Sequence, residues 1–102
     1  MSIKKQYLKS KGICKVTFTV PETESDKVQK VHVVGDFNDW SISATPMKRS
    51  RKGIFTTSVN LKQGQEYQFR YLIDDDRWDN DTEADKYAGT PYGDALNSVI
   101  VL

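Results

Sequence analysis

The sequence predicts an all-β fold, an antiparallel sandwich of about seven or eight strands and of immunoglobulin-like size. Three observations support this. Short runs of β-branched and aromatic residues alternate with polar ones, Gly, Pro, Asn and Asp punctuate the runs, and helical periodicity is nearly absent. The chain has 102 residues, enough to bury one modest core but not two, so a single domain spanning 1–102 is expected.

The start, 1–11, carries Lys4, Lys5, Lys9 and Lys11 and reads as a flexible or edge-strand arm, by default a solvated one. Ile13 to Val20 is the first clear strand: Cys14, Val16, Phe18 and Val20 fall on one face, with Lys15, Thr17 and Thr19 on the other. Pro21-Glu22-Thr23-Glu24-Ser25-Asp26 reads as a connection, followed by a strand from Gln29 to Val34. A short strand fits Met47 to Arg49, and a longer one Gly53 to Leu61. After Lys62-Gln63-Gly64-Gln65, Glu66 to Asp74 places Tyr67, Phe69, Tyr71 and Ile73 on one face. Gln68, Arg70 and Leu72 share the opposite face, so Arg70 points away from the core. Asp75 to Asn97 reads as one long loop, of the kind that tends to be functional or disordered. Ser98 to Leu102 is the last strand.

Composition narrows the function. A net charge of +1 gives no sequence-wide attraction to nucleic acid or to an anionic membrane, so neither is an expected partner. Cys14 is the lone cysteine, which excludes an internal disulfide and points to the reducing cytoplasm. Met1-Ser2-Ile3-Lys4-Lys5-Gln6-Tyr7 lacks the apolar run of a signal peptide. No stretch approaches the roughly 20 apolar residues of a membrane span. The barrel that most often hosts polysaccharide hydrolysis needs about 250 residues, so the chain reads as non-catalytic.

Two segments stand out. In Val33-Val34-Gly35-Asp36-Phe37-Asn38-Asp39-Trp40 a strand ends in turn residues and then presents a large aromatic. Trp40 is either a lid on the core or an exposed platform, with Phe37 the better core candidate. In Phe69-Arg70-Tyr71-Leu72-Ile73-Asp74-Asp75-Asp76-Arg77-Trp78-Asp79-Asn80-Asp81 an apolar strand runs into an acidic turn and a second tryptophan, whose polar neighbours favour exposure.

The order Val34-Gly35-Asp36-Phe37-Asn38-Asp39-Trp40, then Glu66 to Asp74, Trp78, and Leu96-Asn97-Ser98-Val99-Ile100 resembles the family 48 carbohydrate-binding modules. That family includes the glycogen-binding domain of the AMP-activated protein kinase β subunit and the early-set domains of isoamylases and glycogen branching enzymes. The resemblance spans Cys14 to Leu102. It implies an early-set sandwich that binds α-1,4-linked glucans such as glycogen, starch or malto-oligosaccharides. The stacking tryptophans would be Trp40 and Trp78, the basic residue Arg70 and the sugar-bonding asparagine Asn97. The chemistry is compatible: indoles offer flat apolar area at low entropic cost, Arg70 can donate to hydroxyls, and an Asn amide both donates and accepts.

The chain departs from the family at three points. Asp74-Asp75-Asp76-Arg77 is one residue longer than the family's Asp-Gly turn and lacks its glycine, which predicts an offset of Trp78. The family's gripping apolar residue has no secure counterpart among Tyr92, Gly93, Asp94, Ala95 and Leu96. Ala95 stands where a threonine is expected, so a hydroxyl is missing there.

Other readings are weaker. The carboxylates from Asp74 to Asp85 contain no pair singled out as acid and base. Their spacing does not fit the calcium loop with Gly at its sixth position, so no metal, cofactor or catalytic residue is assigned and Ca²⁺ stays an open alternative. His32 reads as a surface strand residue without a Ser or Cys partner. The main rival is a protein-docking or regulatory module that associates in trans with a glucan-metabolising enzyme and uses the tryptophans as hot spots.

Overall fold

The computed structural model describes residues 1–21, 28–90 and 95–102. Nine strands form among them: β1 (Ser2–Leu8), β2 (Ile13–Val20), β3 (Val31–Gly35), β4 (Lys48–Arg49), β5 (Phe55–Lys62), β6 (Glu66–Ile73), β7 (Arg77–Asp79), β8 (Lys86–Gly89) and β9 (Leu96–Val101). Two antiparallel sheets result, ordered β1-β2-β5-β4 and β3-β6-β9-β8, with β7 also pairing β6. The predicted sandwich is therefore present, with one or two strands more than the sequence suggested.

Alternation builds the core. On β2, Cys14, Val16, Phe18 and Val20 are buried, and Phe69, Tyr71 and Ile73 of β6 meet them from the other sheet. Phe18 stacks on Phe37 at 5.8 Å and meets Phe69 edge-on at 5.1 Å. Phe37 thus packs against the core, which frees the aromatic three residues later from that role.

Several segments differ from the sequence reading. The lysine-rich start is an edge strand rather than a solvated arm, paired with β2 from Ser2↔Thr19 to Leu8↔Ile13. Its apolar signal is sparse, and its register comes from the turn that ends at Gly12 in left-handed conformation (φ 62°). The Asp75 to Asn97 segment carries β7 and β8, which are short, polar and specified by the strands they pair with. His32 lies in β3 as read, but it is half-buried rather than a surface residue, and its buried Nδ1 has no hydrogen-bond partner among the described residues. Pro46 forms an isolated antiparallel bridge with His32. The connection 22–26 and residues 92–94 lie outside the described residues.

Gly35 ends β3 where the chains approach closely. A Cβ there would stand 2.4 Å from the Gln68 carbonyl oxygen and 2.7 Å from Phe69 Cβ. Gly35→Ala is expected to cost about 1–3 kcal/mol by overpacking, read as a lowered urea midpoint at unchanged slope.

Acidic residues tie the strand ends together. Asp74 Oδ1 accepts from the Gln29 and Lys30 backbone N–H groups at 2.8 and 3.0 Å. The Lys30 and Gln29 bonds hold its carboxyl below the usual value of 3.8. Burial pushes the Asp85 carboxyl up, but the Lys5 ammonium at 2.6 Å and the Val101 N–H at 2.8 Å outweigh it and leave the group lowered. Depressed carboxylates contribute stability that is complete above their unfolded pKa and lost as pH falls through the folded one. Stability should therefore be flat near neutrality and fall at acidic pH beneath the ordinary carboxylate range. Asp85→Asn should lower the neutral-pH melting temperature and make that acid decline shallower.

Candidate glucan-binding groove

The groove begins with a strained turn. After Gly35, residues Asp36–Asn38 make one 3₁₀ turn, and Asp39 and Trp40 both take left-handed backbone (φ 56° and 58°). Such a conformation is costly for a bulky residue and persists only where its surroundings over-determine it. Here Trp40 N–H donates to the Gly35 carbonyl at 2.9 Å and Ser41 N–H to the Asn38 carbonyl at 3.1 Å. Asn38 closes the turn by accepting from Gly35 N–H at 3.0 Å and donating to the Val33 carbonyl and Thr45 Oγ1, both at 2.9 Å. The result swings Trp40 out of the core, 37% exposed. Its Nε1–H donates to Asp36 Oδ1 at 3.0 Å, while Asp36 Oδ2 accepts from Gln68 N–H at 2.7 Å. Asp36 thereby fixes both the indole and the stretch of β6 that β3 no longer covers.

Trp78 arrives by a different route. β6 and β7 pair from Ile73↔Arg77 to Tyr71↔Asp79, which puts Trp78 opposite Leu72 on the outer face of β6. Asp74 and Asp75 adopt the positive φ values (52° and 63°) that a glycine would take more easily. The glycine-free turn is accommodated in this way, and Trp78 stands 45% exposed.

The two indoles line one concavity of about 630 Å³ on the outer face of the second sheet, together with Asp36, Ile42, Gln68, Arg70, Thr90 and Asn97. All four sequence-derived residues, Trp40, Arg70, Trp78 and Asn97, lie in it. Between the rings runs a polar row. Arg70 Nε donates to Asn97 Oδ1 at 2.6 Å, and Asn97 Nδ2 donates to Gln68 Oε1 at 2.9 Å. These bonds orient the side chains and leave the terminal guanidinium groups of Arg70 and the amide N–H₂ of Gln68 as donors without a partner among the described residues.

Sequence reasoning missed four lining residues. Gln68 was legible, since it shares the outward face of β6 with Arg70. Ile42, 58% exposed in a serine-rich loop, carried a signal in its isolation. Asp36 sits inside the segment already singled out. Thr90 gave no signal, because it belongs to a segment read as loop. Thr90 lines the groove, and its hydroxyl donates to the Ala95 carbonyl at 3.2 Å. Leu96 is exposed but has the strand parity of Ser98, opposite to Asn97, and does not line the groove.

The acidic residues do not gather. Asp74 caps backbone N–H groups, Asp75 pairs with Lys30 at 2.5 Å, and Asp85 pairs with Lys5. Asp81 is fully buried and accepts the Tyr71 hydroxyl at 2.6 Å. Among the described residues no three potential metal ligands cluster, and no helix is long and apolar enough to cross a membrane.

A twisted antiparallel sandwich with two exposed indoles and a row of amide and guanidinium donors in one open groove has the build of a sugar-binding module. The chain belongs to family 48 of the carbohydrate-binding modules, the family of the isoamylase N-terminal domain, whose model matches residues 14–92. Trp40, Arg70 and Trp78 lie within the matched span and Asn97 beyond it. No curated protein matches the chain. The family is one of non-catalytic modules that bind carbohydrate.

Proposed function

We propose that the groove binds α-1,4-linked glucans without catalysis, the pyranose rings lying against Trp40 and Trp78 while Arg70, Asn97 and Gln68 hydrogen-bond their hydroxyls. The observation that carries this reading is the presence of both half-exposed indoles in one concavity. A pyranose has an apolar C–H face that an indole can cover and a hydroxyl edge that amide and guanidinium groups can satisfy. Two rings, one supplied by the turn after β3 and one by β7, flanking a concave floor suit the curved α-1,4 chain better than a flat β-1,4 one. The buried free thiol of Cys14 supports a reducing, cytoplasmic setting. A glucan-metabolising enzyme acting in trans is the proposed beneficiary.

Titration with maltoheptaose or β-cyclodextrin should change indole fluorescence, with weak affinity in the micromolar to millimolar range, because few contacts must offset ordering. Cellohexaose should leave the signal unchanged. Equal response to both sugars would contradict the assigned linkage, and no response to either would contradict glucan binding.

A further inference from the structure

We propose that the outer face of the first sheet docks an acidic segment of a partner protein. The register of β1, β2 and β5 fixes which side chains share that face. Lys4 stands opposite Thr17 and Thr17 opposite Ser58; the next row is Gln6, Lys15 and Asn60; the next is Leu8, Ile13 and Lys62. Lys4, Lys15 and Lys62 therefore fall on one diagonal across three strands, each step about 7–8 Å. Lys48 joins the face opposite Thr56 and leads into the exposed hairpin Arg49-Ser50-Arg51-Lys52.

No Asp or Glu lies on this face. Elsewhere lysines are matched: Lys5 with Asp85, Lys30 with Asp75 and Lys86 with Glu66. Lys4, Lys15, Lys48 and Lys62 are exposed and have no such partner among the described residues. The acids of the described residues belong instead to the second sheet or to segments leading from its strands. Among the described residues the strands of this face therefore carry cations alone, whereas on the second sheet and its loops Lys30, Arg70, Arg77 and Lys86 accompany the acids. Like charges on neighbouring strands repel, and nothing on the sheet itself relieves that repulsion, whereas bound carboxylates would.

The surroundings of the lysines choose among anions. Thr17, Thr19, Thr56 and Ser58 fill the rows between them, and the half-buried Leu8 and Ile13 stand together at one end only, so the face offers no aromatic platform for single-stranded bases and too little apolar area to anchor in a membrane. The acids on the far side oppose a polyanion long enough to wrap the domain. A short acidic protein segment, laid along the diagonal, meets the cations without meeting those acids. The glucan groove lies on the other sheet, so both ligands can be held together.

An oligoglutamate peptide titrated at physiological ionic strength should perturb the backbone amides of β1, β2 and β5. The variant K4Q/K15Q/K62Q should bind it about tenfold more weakly, since each exposed pair contributes little alone. Its maltoheptaose affinity should equal that of the wild type, and K30Q/K86Q should retain oligoglutamate binding. Absence of binding by the wild type, undiminished binding by the triple variant, or preference for duplex DNA or phosphatidylserine vesicles over oligoglutamate would overturn the proposal. The maltoheptaose measurement keeps that failure separate from a failure of the glucan reading.

Discussion

Replacing either Trp40 or Trp78 by alanine is expected to abolish measurable maltoheptaose binding while the sandwich stays folded. Both rings are largely outside the core, 37% and 45% exposed, so truncation removes ligand contact without opening a cavity. Base–aromatic stacking, the nearest well-measured analogue, contributes about 1–3 kcal/mol per ring. From a starting affinity in the micromolar to millimolar range, losses of that size carry binding beyond detection. Trp40→Ala also relieves little of the backbone strain at φ 58°, because alanine carries a Cβ as well, so its thermal transition should move by only a few degrees. Isothermal titration paired with a thermal melt separates the two quantities. Retained binding in both variants would remove the groove from consideration.

The largest effect on stability is expected at Asp81. Its carboxylate accepts the Tyr71 hydroxyl at 2.6 Å and the Glu83 N–H at 2.7 Å, its own N–H donates to Ser98 Oγ at 2.9 Å, and its carbonyl accepts the Tyr87 hydroxyl at 2.5 Å. Asn80 extends the network by accepting from Ser98 N–H and Oγ–H and donating to the Leu96 carbonyl. These bonds fasten the segment between β7 and β8 to the core strands, and with it the approaches to Trp78 and Thr90. Asp81→Ala removes the acceptor of the buried Tyr71 hydroxyl bond and of the part-buried Glu83 N–H bond, a loss of about 1–3 kcal/mol. Against a domain stability of about 5–15 kcal/mol, that is a large fraction. Asp81→Asn keeps the shape and one acceptor and should cost less; equal urea midpoints for wild type and Asp81→Ala would show the network to be unimportant.

How much of this was legible depends on the kind of signal each residue carries. The faces of β2 and β6 could be read directly, because alternation of Cys14, Val16, Phe18 and Val20, or of Tyr67, Phe69, Tyr71 and Ile73, records burial on one side. The same parity put Arg70 outward. Trp40 and Asn97 were legible only through a family pattern, since nothing local distinguishes an indole that lids a core from one that leaves it. What decides Trp40 is the pair of left-handed residues and the Asp36 bond, a geometry that composition does not announce. β7 and β8 were missed, and β1 was read only as one of two alternatives, for a related reason: each is polar and gains its register from a neighbour rather than from its own apolar spacing. The acids from Asp74 to Asp85 looked like one cluster along the chain, and folding distributes them to a backbone cap, ion pairs and a buried network.

Titration with maltoheptaose followed through the two indole Nε1–H NMR resonances tests the shared glucan site most directly. Both signals should move together along one saturation curve, and neither should respond to cellohexaose. Movement of one indole alone, or two curves with different midpoints, would contradict a single ligand spanning both rings.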